Sequence, residues 1–187
     1  MTATDRAEFD EFMASRWPQL VRLAFGLTGD RWLAEDLAQT ALASAYAAWW
    51  RVRRADDPDA YVRKILINAS SRRFRRHRVT ELPLEPPGPR HPAEAAQVMA
   101  DPVAADPAAG IGERSDLLAA LAELPPRQRA AIVLRYWEDL TDSQAAAILG
   151  CSPATVRSQV SRALAKLRTS AVLADPGPRP GGKEGAR

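Results

Sequence analysis

Two groups of side chains in this sequence have the types and spacing that grip a polyanion. The first is Arg63, Lys64, Asn68, Arg72, Arg73, Arg75 and Arg76, a run dominated by cations. The second is Thr155, Arg157, Ser158, Ser161 and Arg162, where small polar and cationic residues recur at helical spacing. Guanidinium and ammonium groups neutralise phosphates, and short hydroxyl and Arg side chains reach base edges in a major groove. The chemistry offered is therefore recognition rather than bond making. No G-x-x-x-x-G-K-[ST] or H-E-x-x-H pattern is present, and the carboxylates are scattered. The single Cys151 excludes an intramolecular disulfide. With only His77 and His91 beside it, no zinc site of His/Cys type and no cofactor are expected.

The second group needs a rigid mount, and the stretch Thr141 to Arg168 supplies one. Ala145, Ala146, Ile148 and Leu149 make the first half apolar along one side. Gly150 then stops that helix, because a residue without Cβ takes positive φ without strain. Ser152 is a good N-cap and Pro153 a good first helical residue, having no N–H to leave unpaired. In the second helix Val156, Val160, Ala163, Leu164 and Leu167 face inward. The recognition candidates fall on the other side, so the spacing predicts a helix-turn-helix. An αα-hairpin with a solvated outer face is the plain alternative.

The first group requires a helix from about Asp59 to Arg78, opened by Asp57-Pro58. Tyr61, Ile65, Leu66, Ala69 and Phe74 are its expected packed side. So basic a helix repels itself over its last turns unless an anion lies against it, and a phosphate backbone is the simplest such partner. Upstream, residues 8–27 read as an amphipathic helix through Phe9, Phe12, Met13, Leu20, Leu23, Ala24 and Leu27, with Pro18 expected to kink or divide it. Residues 31–50 form an Ala-rich helix with Leu33, Leu37, Ala41, Ala45 and Ala48 inward. Glu35, Asp36, Gln39 and Thr40 lie off that stripe and are available to a partner. Trp49 and Trp50, at the end of this helix, read as core or domain-edge residues rather than base-stacking ones. Downstream, Leu117, Leu118, Leu121 and Leu124 restart helical periodicity. Pro125-Pro126 resets the chain before a further helix through Ile132, Leu134 and Trp137.

Charge is patterned along the chain. Residues 51–78 hold ten basic and three acidic residues, 79–126 two and eight, and 127–168 seven and three. Two basic blocks flanking an acidic one suggest two separate polyanion contacts, although the formal net charge is only +3. Residues 79–112 hold seven of the fifteen prolines and no hydrophobic period, and read as an acidic flexible linker. Such a linker averages about 30 Å end to end and reaches roughly 110 Å extended. It can bridge sites more than one DNA turn (~35 Å) apart. Residues 172–187 read as a disordered tail. No apolar stretch approaches a membrane span and no signal peptide is evident, so a cytoplasmic protein is expected. The fold class is all-α: two small helical domains joined by a flexible linker, the second containing the helix-turn-helix.

Together these stretches resemble the extracytoplasmic-function class of bacterial RNA polymerase sigma factors, and most of all its small actinobacterial branch. The resemblance rests on GDRWLAEDLAQTAL, DDPDAYVRKILINA and LPPRQRAAIVLRYWEDLTDSQAAAILGCSPATVRSQVSRALAKLR, in that order. It implies a region 2-type domain over residues 8–78 and a region 4-type domain over 113–171. It also implies that Glu35, Asp36, Gln39 and Thr40 dock on the β′ clamp helices of core RNA polymerase, with Thr40 replacing a Glu common in the class. Arg63, Lys64, Asn68, Arg72, Arg73, Arg75 and Arg76 would serve the promoter −10 element, with the loop Asp56 to Ala60 shaping a pocket for a flipped base. Thr155, Arg157, Ser158, Ser161 and Arg162 would serve the −35 element. The implied partners are core RNA polymerase, through β′ and the β flap, promoter DNA, and an anti-sigma factor able to cover the polymerase-binding surface. No enzymatic activity is implied. Two other readings compete: a free-standing helix-turn-helix regulator, which needs a dimer interface, and a DNA-acting enzyme, which needs a metal-binding carboxylate cluster or a nucleophile.

Overall fold

The computed structural model describes residues 2–80 and 111–170, with the side chains of 76–80 and 111–115 outside it. Among the described residues every regular element is helical. In the first half these are α1 (Ala3–Thr28), α2 (Arg31–Ala47), the short α3 (Trp49–Val52) and α4 (Pro58–Thr80). The second half holds α5 (Ile111–Glu123), α6 (Pro126–Ile132), a π turn (Val133–Trp137), α7 (Asp142–Leu149) and α8 (Pro153–Thr169). The linker expected over 79–112 and the tail over 172–187 lie almost wholly outside the described residues.

Helix α1 starts earlier than its apolar pattern suggests, because Thr2 and Asp5 form a reciprocal capping box. It also runs unbroken through Pro18, against the expected kink or division. Pro18 faces solvent, while Phe9 before it and Leu20 and Leu23 after it are buried in one core. Packing on both sides of the proline outweighs the one hydrogen bond it removes. Gly29 caps the helix and Asp30 starts α2, its side chain accepting from the Leu33 amide at 2.9 Å. The helix expected over 31–50 ends at Ala47, and a tight turn at Ala48 leads into α3.

Helix α2 packs against α1 through Ala34, Ala38, Ala41 and Ala45, all without exposed surface. Four small residues on one stripe let the two backbones approach closely. The pair runs antiparallel: Phe9 near the start of α1 meets Tyr46 and Trp49 at the far end of α2 and in α3, edge to face at 5.0 and 5.3 Å. Trp49 is thus core, whereas Trp50 is exposed with Arg51 over its ring at 4.7 Å.

Helix α4 buries Val62, Leu66, Ile67 and Ser70, so its packed stripe is rotated from the expected one. Tyr61, Ile65 and Ala69 are only partly covered. The rotation arises because α4 is packed between α2 and α7, a neighbour from the distant half of the chain. One apolar cluster accordingly joins Phe25 and Leu66 to Val133, Leu134, Ala145, Ile148 and Val156. A smaller cluster of Leu121, Leu124, Ile132 and Ala163 belongs to the second half alone.

Candidate polymerase and nucleic-acid interfaces

The helix-turn-helix is built as its residues dictate. Thr141 and Gln144 form a capping box for α7. Gly150 takes φ 66°, and its amide donates to the Ala146 carbonyl. The Ser152 hydroxyl accepts from the Thr155 amide at 3.1 Å, and Pro153 opens α8. Val156 and Ala163 are fully buried, which fixes the rotation of α8 about its axis. Thr155, Arg157, Ser161 and Arg162 are exposed as a result, and Ser158 is half-buried. Arg157 makes a long contact to Asp142 at 3.5 Å, and Asp142 is held by Arg135 at 2.7 Å. Arg135, Arg157 and Arg168, with the exposed ring of Tyr136, line a groove between the π turn and α8. Cys151 in the turn is partly buried against the core.

The basic helix presents a second cationic face. Lys64, Asn68, Arg72 and Arg75 are exposed on α4. The Asn68 carbonyl accepts from Arg72 Nε at 3.3 Å, which lays that guanidinium along the helix. The other cations of the expected set are placed differently. Arg73 reaches across to Asp36 on α2 at 3.0 Å, and Arg63 is only 19% exposed, bound to Glu138 at 3.4 Å. The side chain of Arg76 lies outside the described residues. In the loop before α4, Asp57 accepts from the Ala60 amide at 2.8 Å, and Asp59 is bound by Arg16 at 2.5 Å. The recess beside it, lined by Phe12, Arg16, Asp59 and Arg63, has room for little more than a water-sized group. A base does not fit there in this arrangement.

On α2, Asp36, Gln39 and Thr40 are exposed, as their position off the apolar stripe requires. Glu35 is half-buried and accepts from Arg31 Nε at 3.1 Å, a pair spaced i,i+4. One residue of this face escaped the motif-based reading. Trp32 is 72% exposed, one helical turn before Asp36. The signal was available: with Leu33 and Leu37 inward, the 3.6-residue period turns Trp32 outward beside Asp36. Large exposed aromatics next to polar anchors are common at the energetic centres of protein interfaces.

Two buried polar residues of the second half were also missed. Glu138 and Arg129 look solvated in the sequence, yet the side chain of Glu138 and the whole of Arg129 are nearly inaccessible. Arg129 donates to the carbonyls of Leu27 at 2.7 Å, Leu124 at 3.2 Å and Ala122, and it stacks over the Phe74 ring at 4.6 Å. Burial pushes its guanidinium down to about 10, which leaves it charged at neutral pH.

Comparison with known proteins agrees with this architecture. Sigma-70 region 2 matches residues 13–80, and Sigma-70, region 4 matches residues 114–167. The chain is 36% identical to an RNA polymerase sigma-E factor of Streptomyces coelicolor over 170 residues, 90% of this chain and 88% of that one. It is 30% identical to the extracytoplasmic-function (ECF) sigma factor SigM of Mycobacterium tuberculosis over 165 residues, 88% and 78% of the two chains. Among solved structures it is similar to the sigma factor RpoE of Bartonella quintana, seen in complex with the anti-sigma factor NepR. That similarity has a TM-score of 0.68 at 26% identity and covers 91% of this chain and 99% of the other. An exposed acidic-polar face on α2, cationic faces on α4 and α8, and these matches along both halves place the chain in the extracytoplasmic-function family of RNA polymerase sigma factors, which direct core polymerase to promoters.

Proposed function

We propose the following division of labour among this chain's residues. Residues 8–78 form the region 2-type unit that docks on polymerase and reads the −10 element; residues 113–171 form the region 4-type unit that reads the −35 element. Residues 79–112 act as the tether between them, and 172–187 as a tail. On α2, Asp36, Gln39 and Thr40, supported by Glu35, meet the β′ clamp helices, and the second unit meets the β flap. On α4, Lys64, Arg72 and Arg75 bind backbone phosphates and Asn68 faces bases, while Arg63, Arg73 and Arg76 join them once DNA is bound. On α8, Thr155, Arg157, Ser158, Ser161 and Arg162 read the upstream groove. The protein works in the cytoplasm with no chemistry of its own; the polymerase supplies that. The Streptomyces relatives favour membership of the small actinobacterial branch. By analogy with the relative bound to NepR, an anti-sigma factor is a further partner.

The observation that carries this reading is the presence, in one chain, of two cationic helix faces and a separate acidic-polar face on α2. Phosphate contacts set affinity and its salt dependence and carry little sequence information. Replacing Arg72 and Arg75 together by Ala should therefore slow promoter opening by the reconstituted holoenzyme. The slope of log K against log salt should flatten by about 1–2 units, at roughly 0.9 per phosphate lost. Titrating promoter binding across a salt series checks this. An unaltered slope would remove both residues from the phosphate-binding face.

A further inference from the structure

Among the described residues no large apolar side chain is more exposed than Trp32. Its direction is set by the rest of α2. Asp30 caps the helix, and Ala34, Ala38, Ala41 and Ala45 bury one stripe completely against α1, which fixes the rotation of α2 about its axis. At about 100° per residue, Trp32 then points almost directly away from that stripe, with Gln39 about 20° to one side of it and Asp36 about 40° to the other. Trp32, Asp36, Gln39 and Ala43 are all exposed and stand four, three and four residues apart. This is the seam spacing by which one helix lies along others, and it covers about 17 Å of axis. The carboxylates beside the ring already have partners within the chain. Glu35 accepts from Arg31 at 3.1 Å, and Asp36 from Arg73 at 3.0 Å. A partner's cation can only exchange with these, and exposed pairs of this kind contribute little. The indole has no such exchange to make, and covering it removes a large apolar area from water.

We propose that Trp32 is the apolar anchor of the polymerase contact, its indole filling a pocket on the same helical surface of core polymerase that Asp36 and Gln39 meet. The inference rests on the assignment of α2 as the docking helix, and it deepens that assignment by giving the contact a different source of affinity. The occupant it calls for is a pair of packed helices with an aliphatic hollow between neighbouring turns and an acceptor at the rim for the indole N–H, which can only donate. Within the seam the two kinds of residue divide the work. Asp36 and Gln39 set register, as isolated polar residues do between packed helices, while the ring supplies the buried area. The rigid alanine packing of α2 on α1 presents the ring without a loop to order, so little conformational entropy is lost on docking.

The test titrates the full chain with purified core polymerase. Trp32→Ala should raise Kd by about 30–100-fold, the effect of removing a central aromatic anchor. Trp32→Phe, which keeps a ring, should stay within about tenfold of wild type. The urea midpoint of both variants should not move, because the ring is 72% exposed in the free protein. Salt separates apolar from charged contact. The factor lost in Trp32→Ala should be the same at about 0.1 M and about 0.5 M KCl, whereas the loss caused by Asp36→Arg with Gln39→Ala should shrink at the higher salt. A benzophenone amino acid placed at position 32 should cross-link to β′ on irradiation. A Kd for Trp32→Ala within about threefold of wild type, while the Asp36 and Gln39 variant fails to bind, would overturn the anchor and leave the docking helix standing. A loss that fades with salt, a lowered urea midpoint, or a cross-link to a second copy of this chain or to promoter DNA would also overturn it. If neither Trp32→Ala nor the Asp36 and Gln39 variant weakens binding, the assignment of α2 beneath the proposal falls.

Discussion

Asp36→Arg combined with Gln39→Ala should abolish co-elution of the protein with core polymerase. Both residues are exposed on α2, on the face that also presents Trp32. Reversing a charge at the centre of an interface removes a favourable pair and leaves a repulsive one, at a cost of roughly 3 kcal/mol, or about 100-fold in Kd. The fold should survive. The internal partner lost is Arg73, in an exposed pair worth at most about 1 kcal/mol. Arg73→Ala is the matching control: it breaks the same internal pair, and polymerase affinity should stay within about threefold. Size-exclusion chromatography with purified core, followed by fluorescence titration, measures both variants. Unchanged co-elution of the double variant would remove the α2 face from the docking site.

Arg129→Ala should cost about 3 kcal/mol of folding stability. Its guanidinium satisfies carbonyls at the end of α1 (Leu27) and around the end of α5 (Ala122 and Leu124), while its flat face covers Phe74. Alanine would leave buried acceptors without donors and a void against an aromatic ring. Arg129→Lys should recover less than half of the loss, because one ammonium cannot span acceptors on separate elements as a planar fork does. The pH dependence has a defined sign. Burial lowers the Arg129 pKa to about 10, below the ordinary arginine value, so between the two the unfolded chain binds more protons and stability rises with pH. At pH 6–8 both states are fully protonated, and the cost of the substitution should be constant there. Urea unfolding followed by helical signal gives the number; a loss below about 1 kcal/mol would mean that water replaces the guanidinium freely.

The helix-turn-helix was legible because its determinants are local. Gly150, Ser152 and Pro153 are read within a few residues of one another, and the buried Val156 and Ala163 fix which side of α8 faces out. The exposure of Asp36 and Gln39 on α2 was legible for the same reason, since alanines at helical spacing can only turn them outward. What the sequence concealed depends on contacts between the two halves. The rotated stripe of α4 follows from α7 packing on it. The burial of Glu138 follows from a π turn, which has no apolar signature of its own. Gly26 reads as an indifferent helical glycine until Val133 is placed beside it. Pro18 reads as a break because its cost is local, whereas the packing that overrides it is tertiary.

Sequencing the 5′ ends of transcripts made on genomic DNA from the source organism, by core polymerase with and without this protein, tests the central claim most directly. The wild-type protein should create a set of start sites absent with core alone, sharing one element just upstream of the start and a second farther upstream. Ser158→Ala and Arg162→Ala should change base preference in the farther element only, by about 1–3 kcal/mol at the affected base pair. Start sites identical to those of core polymerase alone would contradict the account.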